Sequence, residues 1–138
     1  MRSVLAVLAL LIVAGCGASS LSLGAPVKIL TSSQSGGSQP MGGKNGPCYT
    51  NWADGTLLAD AEFGTAFTWT RSPGSHAIVV WPVGFTARQA GSEVAVVAPT
   101  GEVVATTGRS YRLPGGAITG GSGLPDGPVW FACWAHPT

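Results

Sequence analysis

Beyond residue 46 the chain never sustains a helical period. No stretch of ten or more residues repeats its apolar side chains at helical spacing, and short apolar runs alternate instead with turn chemistry. Glycine (21) and proline (10) are abundant, while charged residues make up 9% of the chain against a usual quarter. A chain punctuated this often must build from strands. The sharpest local signal is Glu93-Val94-Ala95-Val96-Val97-Ala98 and Glu102-Val103-Val104-Ala105-Thr106 flanking Pro99-Thr100-Gly101. Proline presets φ and glycine supplies a left-handed position, which predicts a β-hairpin.

Other segments follow the same logic. Asp54-Gly55 offers a turn before a strand at residues 56–59, and Ala66-Phe67-Thr68-Trp69-Thr70 alternates so that Phe67 and Trp69 share a face. Ala77-Ile78-Val79-Val80-Trp81 is continuously apolar and predicts a strand covered on both faces. Pro82 ends it, and Gly84 lets the backbone turn into residues 85–87. Residues 110–113 predict a short strand, residues 114–127 a mobile glycine-rich loop opening with Pro114-Gly115-Gly116, and residues 129–134 a closing strand. Some six to eight short strands predict one all-β domain over residues 47–138.

The N-terminus carries a different message. Met1-Arg2 precedes an apolar run at residues 4–13, and Val13-Ala14-Gly15-Cys16 follows. As a helix the run is about 15 Å long, half of a ~30 Å hydrocarbon core, too short for a permanent span. The tetrapeptide resembles the bacterial lipoprotein signal, in which an aliphatic residue, two small residues and cysteine mark the site of lipid addition and cleavage. That resemblance implies removal of residues 1–15, a diacylglycerol thioether on Cys16, and a protein lipid-anchored on the extracytoplasmic side of the cell membrane. An ordinary cleaved signal peptide without lipid is the alternative. Residues 16–46 are rich in Ser, Gly and Gln and read as a flexible tether with a reach of roughly 30 Å. Pro26-Val27-Lys28-Ile29-Leu30 is its one apolar patch, read as linker, with docking on the membrane or the domain as alternatives.

With Cys16 assigned to lipid, Cys48 and Cys133 remain, and in an oxidising compartment they are expected to form a disulfide that closes the domain. The alternative, a reactive Cys48, lacks a histidine or basic neighbour in sequence. A bridge across nearly the whole domain is wider than the inter-sheet bond of an immunoglobulin-like sandwich, so a small barrel is preferred and the sandwich is the alternative. The stretch Trp81-Pro82-Val83-Gly84-Phe85-Thr86-Ala87-Arg88, the hairpin after it and Gly115-Gly116 are similar to small secreted domains and lipoproteins of Gram-positive, especially actinobacterial, bacteria. This resemblance implies an OB-like barrel and transfers no catalytic residue.

Lys and Arg (7) balance Asp and Glu (6), and Arg2 is the only charge before Cys16, so the composition does not favour a nucleic-acid partner. His76 and His136 stand far apart without Cys, Asp or Glu neighbours, so no metal or other cofactor is expected. A G-x-S-x-G nucleophile elbow is missing. Asp54, Asp60 and Glu62 form the only local acidic group, the residue type a glycosidase needs, but they read as a solvated strand edge. Most of the five tryptophans are expected in the core. Trp52 and Trp134, nearest the proposed disulfide, are candidate ligand contacts together with Arg88 and Arg112, two of the arginines expected at strand ends or loops. The reading is an envelope lipoprotein displaying a non-catalytic binding or scaffolding domain for a cell-wall polymer or envelope protein, with contacts on the 114–127 loop. A small envelope hydrolase is the alternative.

Two or more acyl chains, at about 0.8 kcal/mol per buried CH₂, would hold the mature protein in membranes. Cys16→Ser is therefore expected to release the protein from membranes or leave it unprocessed. Intact mass spectrometry from the native host checks this, and a mature chain without lipid on Cys16 would refute it.

Overall fold

The computed structural model describes residues 22–32, 48, 51–119 and 123–138. Cys16 and the signal-like segment lie outside the described residues. Among those described, every regular element is a strand: β1 (Pro26–Val27), β2 (Leu30–Thr31), β3 (Asn51–Asp60), β4 (Gly64–Trp69), β5 (His76–Trp81), β6 (Thr86–Ala90), β7 (Glu93–Val97), β8 (Val103–Thr106), β9 (Ser110–Thr119), β10 (Pro128–Ala132) and β11 (His136–Pro137).

Five strands close into a barrel in the order β3-β4-β5-β10-β9 and back to β3. Neighbours are antiparallel except β5 and β10, which run parallel with Val129 opposite Ile78. This is a five-stranded Greek-key barrel of the OB-like kind. Because the sheet closes on itself, the sandwich alternative does not hold. β11 adds to the free side of β9, while β1, β6, β7 and β8 form a separate antiparallel sheet.

The two ten-residue strands are longer than the sequence suggests, because each changes partner along its length. β3 pairs with β9 through Asn51–Thr56 and with β4 through Gly55–Asp60. β9 pairs with β3 through Ser110–Gly115 and with β10 through Gly115–Thr119. The glycines sit at the hand-over points. A Cβ at Gly55 would overlap the Thr68 carbonyl oxygen and crowd the Phe67 ring; one at Gly115 would overlap the Phe131 carbonyl oxygen and crowd Trp130. These glycines are required by close backbone approach. Asp54-Gly55 is therefore strand interior, and the turn comes later, where the Asp60 carboxylate accepts the N–H groups of Glu62 (3.0 Å) and Phe63 (2.7 Å). Likewise Pro114-Gly115-Gly116 belongs to β9, and the expected loop shrinks to the connection from β9 to β10.

Alternation along the strands creates two apolar clusters. Ala53, Leu57, Phe67, Ala77, Val79, Trp81, Leu113 and Trp130 belong to one, and Ile78, Val80, Val129 and Phe131 to the other. β5 contributes to both, as its continuous apolar run predicts. Phe67 and Trp69 share a side, with ring centroids 6.3 Å apart. The second sheet joins the first cluster through Ala87, Val94, Val96 and Val104, and Phe85, just ahead of β6, stacks on Trp81 at 6.1 Å. Buried hydrogen bonds accompany this packing. Trp81 Nε1 donates to Thr65 Oγ1 (2.9 Å), and the Thr106 N–H donates to the Tyr111 hydroxyl (2.8 Å). The predicted hairpin is β7–β8, with Gly101 at φ 85°.

The patch at residues 26–30 is a structural part of the domain. β1 pairs with β6, β2 pairs in parallel with β5 at Val80 and Trp81, and Ile29 and Leu30 are buried. The tether reading of residues 16–46 therefore fails for this segment, because its apolar residues cover strand edges that neither sheet otherwise pairs. Cys48 and Cys133 are bonded, with Cα atoms 5.9 Å apart, tying the chain before β3 to the end of β10. In the chain-entropy account, a loop of this length constrains the unfolded state by about 4–5 kcal/mol.

Gly115→Ala is expected to destabilise the domain by about 1–3 kcal/mol through overpacking. That corresponds to a melting temperature lower by roughly 5–20 °C for a domain of this size. Exposed Ser72→Ala should change stability by less than about 0.5 kcal/mol. Equal melting temperatures for the two variants would contradict the close-approach account.

Candidate functional site

Alternation on β3 turns Ala53 and Leu57 into the core and leaves Trp52 and Asp54 on the opposite, outer face. The register then places Arg112 of β9 directly across from Asp54. Its guanidinium makes a two-pronged pair with the carboxylate, Nε to Oδ1 at 2.7 Å and Nη2 to Oδ2 at 3.0 Å. The same guanidinium lies 5.3 Å from the centroid of the Trp52 ring. Planar pairing and ring stacking are both features of arginine that lysine does not reproduce. Trp52 nevertheless remains 63% exposed.

Two grooves share Trp52 as a wall. One, of about 500 Å³, is lined by Asn51, Trp52, Ala117 and Trp130. The other, of about 100 Å³, is lined by Trp52, Ala53, Asp54, Trp69 and Arg71. Beneath them Trp69 and Trp130 meet edge to face, with centroids 6.4 Å apart and planes at 86°. Trp130 is only 6% exposed, and its Nε1 has no hydrogen-bond partner among the described residues. A buried donor left without an acceptor costs free energy, and this N–H lies against Gly115 within the packing.

The electrostatics of the face centre on Asp54. The hydrogen bond from Arg112 holds its carboxyl below the ordinary range, aided by the charges of Arg112 and Arg71 and opposed by partial desolvation. The same pairing raises Arg112. Asp54 is thus an ionised, engaged acceptor.

Of the residues expected to contact ligand, the structure brings Trp52 and Arg112 together and places the other two elsewhere. Trp134 packs its ring edge to face on Phe85 at 5.7 Å, beside the second sheet. Arg88, on β6, donates to the Gly24 carbonyl at 3.3 Å. The acidic trio does not converge, since Asp54 serves Arg112 and Asp60 serves its turn. His76 and His136 are exposed at the starts of β5 and β11. Asn51, Trp69 and Trp130 are not singled out as site residues by sequence, and Arg71 is named there only as one of four arginines, with Arg88, Arg109 and Arg112, that would bind an anionic polymer if they converged. Trp69 and Trp130 read as core, which they partly are, and no sequence signal aligns Arg71 with Asp54.

The chain matches no protein-family model, no curated protein and no solved structure with which it was compared.

A depressed carboxyl pKa contributes stability above the unfolded value, and that contribution is lost as pH falls through the folded value. Carboxyl-carbon NMR of Asp54 should therefore give a midpoint below the ordinary 3.8. Arg112→Ala should return it towards that value. A midpoint unmoved by this substitution would refute the pairing in solution.

Proposed function

We propose that this protein is a bacterial envelope lipoprotein, anchored through Cys16 outside the cytoplasmic membrane, whose barrel binds an envelope component at the Trp52 face without chemically altering it. The observation that carries the binding reading is an exposed indole held by an arginine–aspartate pair between two grooves. Burying a large aromatic ring is worth on the order of 2 kcal/mol, so a tryptophan kept in solvent has a use for its face. Trp52 in this setting is pre-ordered for contact, which lowers the entropic cost of binding.

The groove lining speaks for binding over turnover. Hydrolysis of a glycosidic bond by the usual route employs two carboxyl groups flanking it. Among the described residues the two grooves supply one, Asp54, and that one is engaged by Arg112. The disulfide suits an oxidising, extracytoplasmic compartment.

Docking of the N-terminal segment also sets the geometry of display. The Gly24 N–H already donates to the Gln89 carbonyl at 2.7 Å. From Cys16 to Gly24 the chain can reach at most roughly 29 Å even when fully extended. Lipid on Cys16 would therefore hold the barrel near the bilayer, on a leash shorter than the whole 16–46 segment would allow.

Sedimentation with detergent-extracted envelopes of the native host tests this function. The wild-type chain is expected to be retained unaltered envelope material included, and Trp52→Ala to lower retention several-fold while Arg88→Ala does not. Equal retention of wild type and Trp52→Ala would refute the site, and release of envelope fragments would favour the hydrolase instead.

A further inference from the structure

We infer that the ligand of the Trp52 face is a linear glycan of N-acetylhexosamine units, one pyranose stacking on Trp52 while its neighbours occupy the two grooves. This inference rests on the binding reading above and specifies its ligand.

The shape of the site selects an elongated ligand. Because Trp52 lines both grooves, a molecule long enough to occupy both has the indole beside it in each. Arg112 lies over the ring and lines neither groove, so it fixes the indole without occupying the path. The chemistry of the lining then selects the units. A pyranose has an apolar C–H face bounded by hydroxyl groups, and the site offers the matching arrangement of a flat aromatic surface beside hydrogen-bonding groups. The Asn51 amide both donates and accepts. The Asp54 carboxylate uses two of its roughly four acceptor positions on Arg112, leaving others for hydroxyl or amide donors.

The acetamido group answers what remains. Its carbonyl and N–H match the Asn51 amide, which both accepts and donates, and its methyl suits the apolar wall at Ala117. A nucleic acid would also stack on tryptophan, but it requires a track of cations for its phosphates. Here Arg112 is committed to Asp54, and among the described lining residues Arg71 is the one cation.

The test is tryptophan-emission titration of the full-length lipoprotein in a non-glycosidic detergent. The probes are the β-1,4-linked N-acetylglucosamine hexasaccharide, the glucose hexasaccharide of the same linkage, and hexathymidylate. The N-acetylated probe is expected to bind saturably, at least about tenfold more tightly than the glucose probe, with Trp52→Ala weakening it at least tenfold. Trp52→Tyr, which keeps an aromatic face, should remain within about threefold of wild type. Circular dichroism should show both variants folded. Equal binding of the two sugars, no saccharide binding up to millimolar concentrations, or preferential binding of hexathymidylate would each overturn the inference. If these titrations fail while envelope retention still depends on Trp52, the glycan assignment falls and the binding function stands. If retention is also independent of Trp52, both fall.

Discussion

Five strands can close on themselves only if some of them bend and pass from one neighbour to another. In this barrel β3 and β9 carry that burden, and they do so at Gly55 and Gly115, where each glycine appears in two pairings. The approach is so close that a single methyl group at either point would meet a backbone carbonyl. Everything else in the domain follows from this closure. The disulfide lies beside it, with the Cys133 N–H donating to the Pro114 carbonyl (2.8 Å) and the Cys133 sulfur reaching Cys48 ahead of β3. The bridge therefore reinforces the region where the start of one bent strand and the end of β10 converge on β9.

The rest of the chain serves to cover what the barrel leaves open. No helix packs against it among the described residues; the three-strand excursion β6–β8 between β5 and β9 supplies the cover, and β1 extends it. Aromatic rings provide the contact. Trp81, Phe85 and Trp134 form a chain of ring contacts where barrel and second sheet meet. Large rings bury much area per residue, which suits a small domain with little room for many aliphatic side chains. Against that background Trp52 stands apart as the tryptophan that the fold leaves mostly in solvent.

The face around Trp52 is a product of closure as well. Asp54 and Arg112 are 58 positions apart, and they meet because β3 pairs with β9 in one particular register. A slip of one residue would turn Trp52 and Asp54 inward and Ala53 and Leu57 outward, exchanging site for core. Trp69 and Trp130 come from strands that are not neighbours in the barrel, yet their edge-to-face contact underlies both grooves. Site and core are thus two sides of the same strands.

Local chemistry made much of the fold legible. The hairpin around Pro99-Thr100-Gly101, the doubly covered β5, the shared face of Phe67 and Trp69, the pairing of Cys48 with Cys133 and the all-β class follow from period, turn residues and cysteine count, while the OB-like barrel came from a resemblance. Those signals act over a few residues or, for the disulfide, through a count of two. Where the sequence misleads, a local signal meets a long-range demand. Asp54-Gly55 and Pro114-Gly115-Gly116 have the composition of turns, but the glycines were needed for backbone approach inside bent strands. The 26–30 patch looks like linker until the strand edges it covers are in place. Trp52 and Arg112 could be named as candidates from residue type; their union with Asp54, and the separation of Trp134 and Arg88 from them, depended on cross-strand register. Register is a property of the closed barrel, because only the combined packing of both faces distinguishes one alignment of the strands from the next.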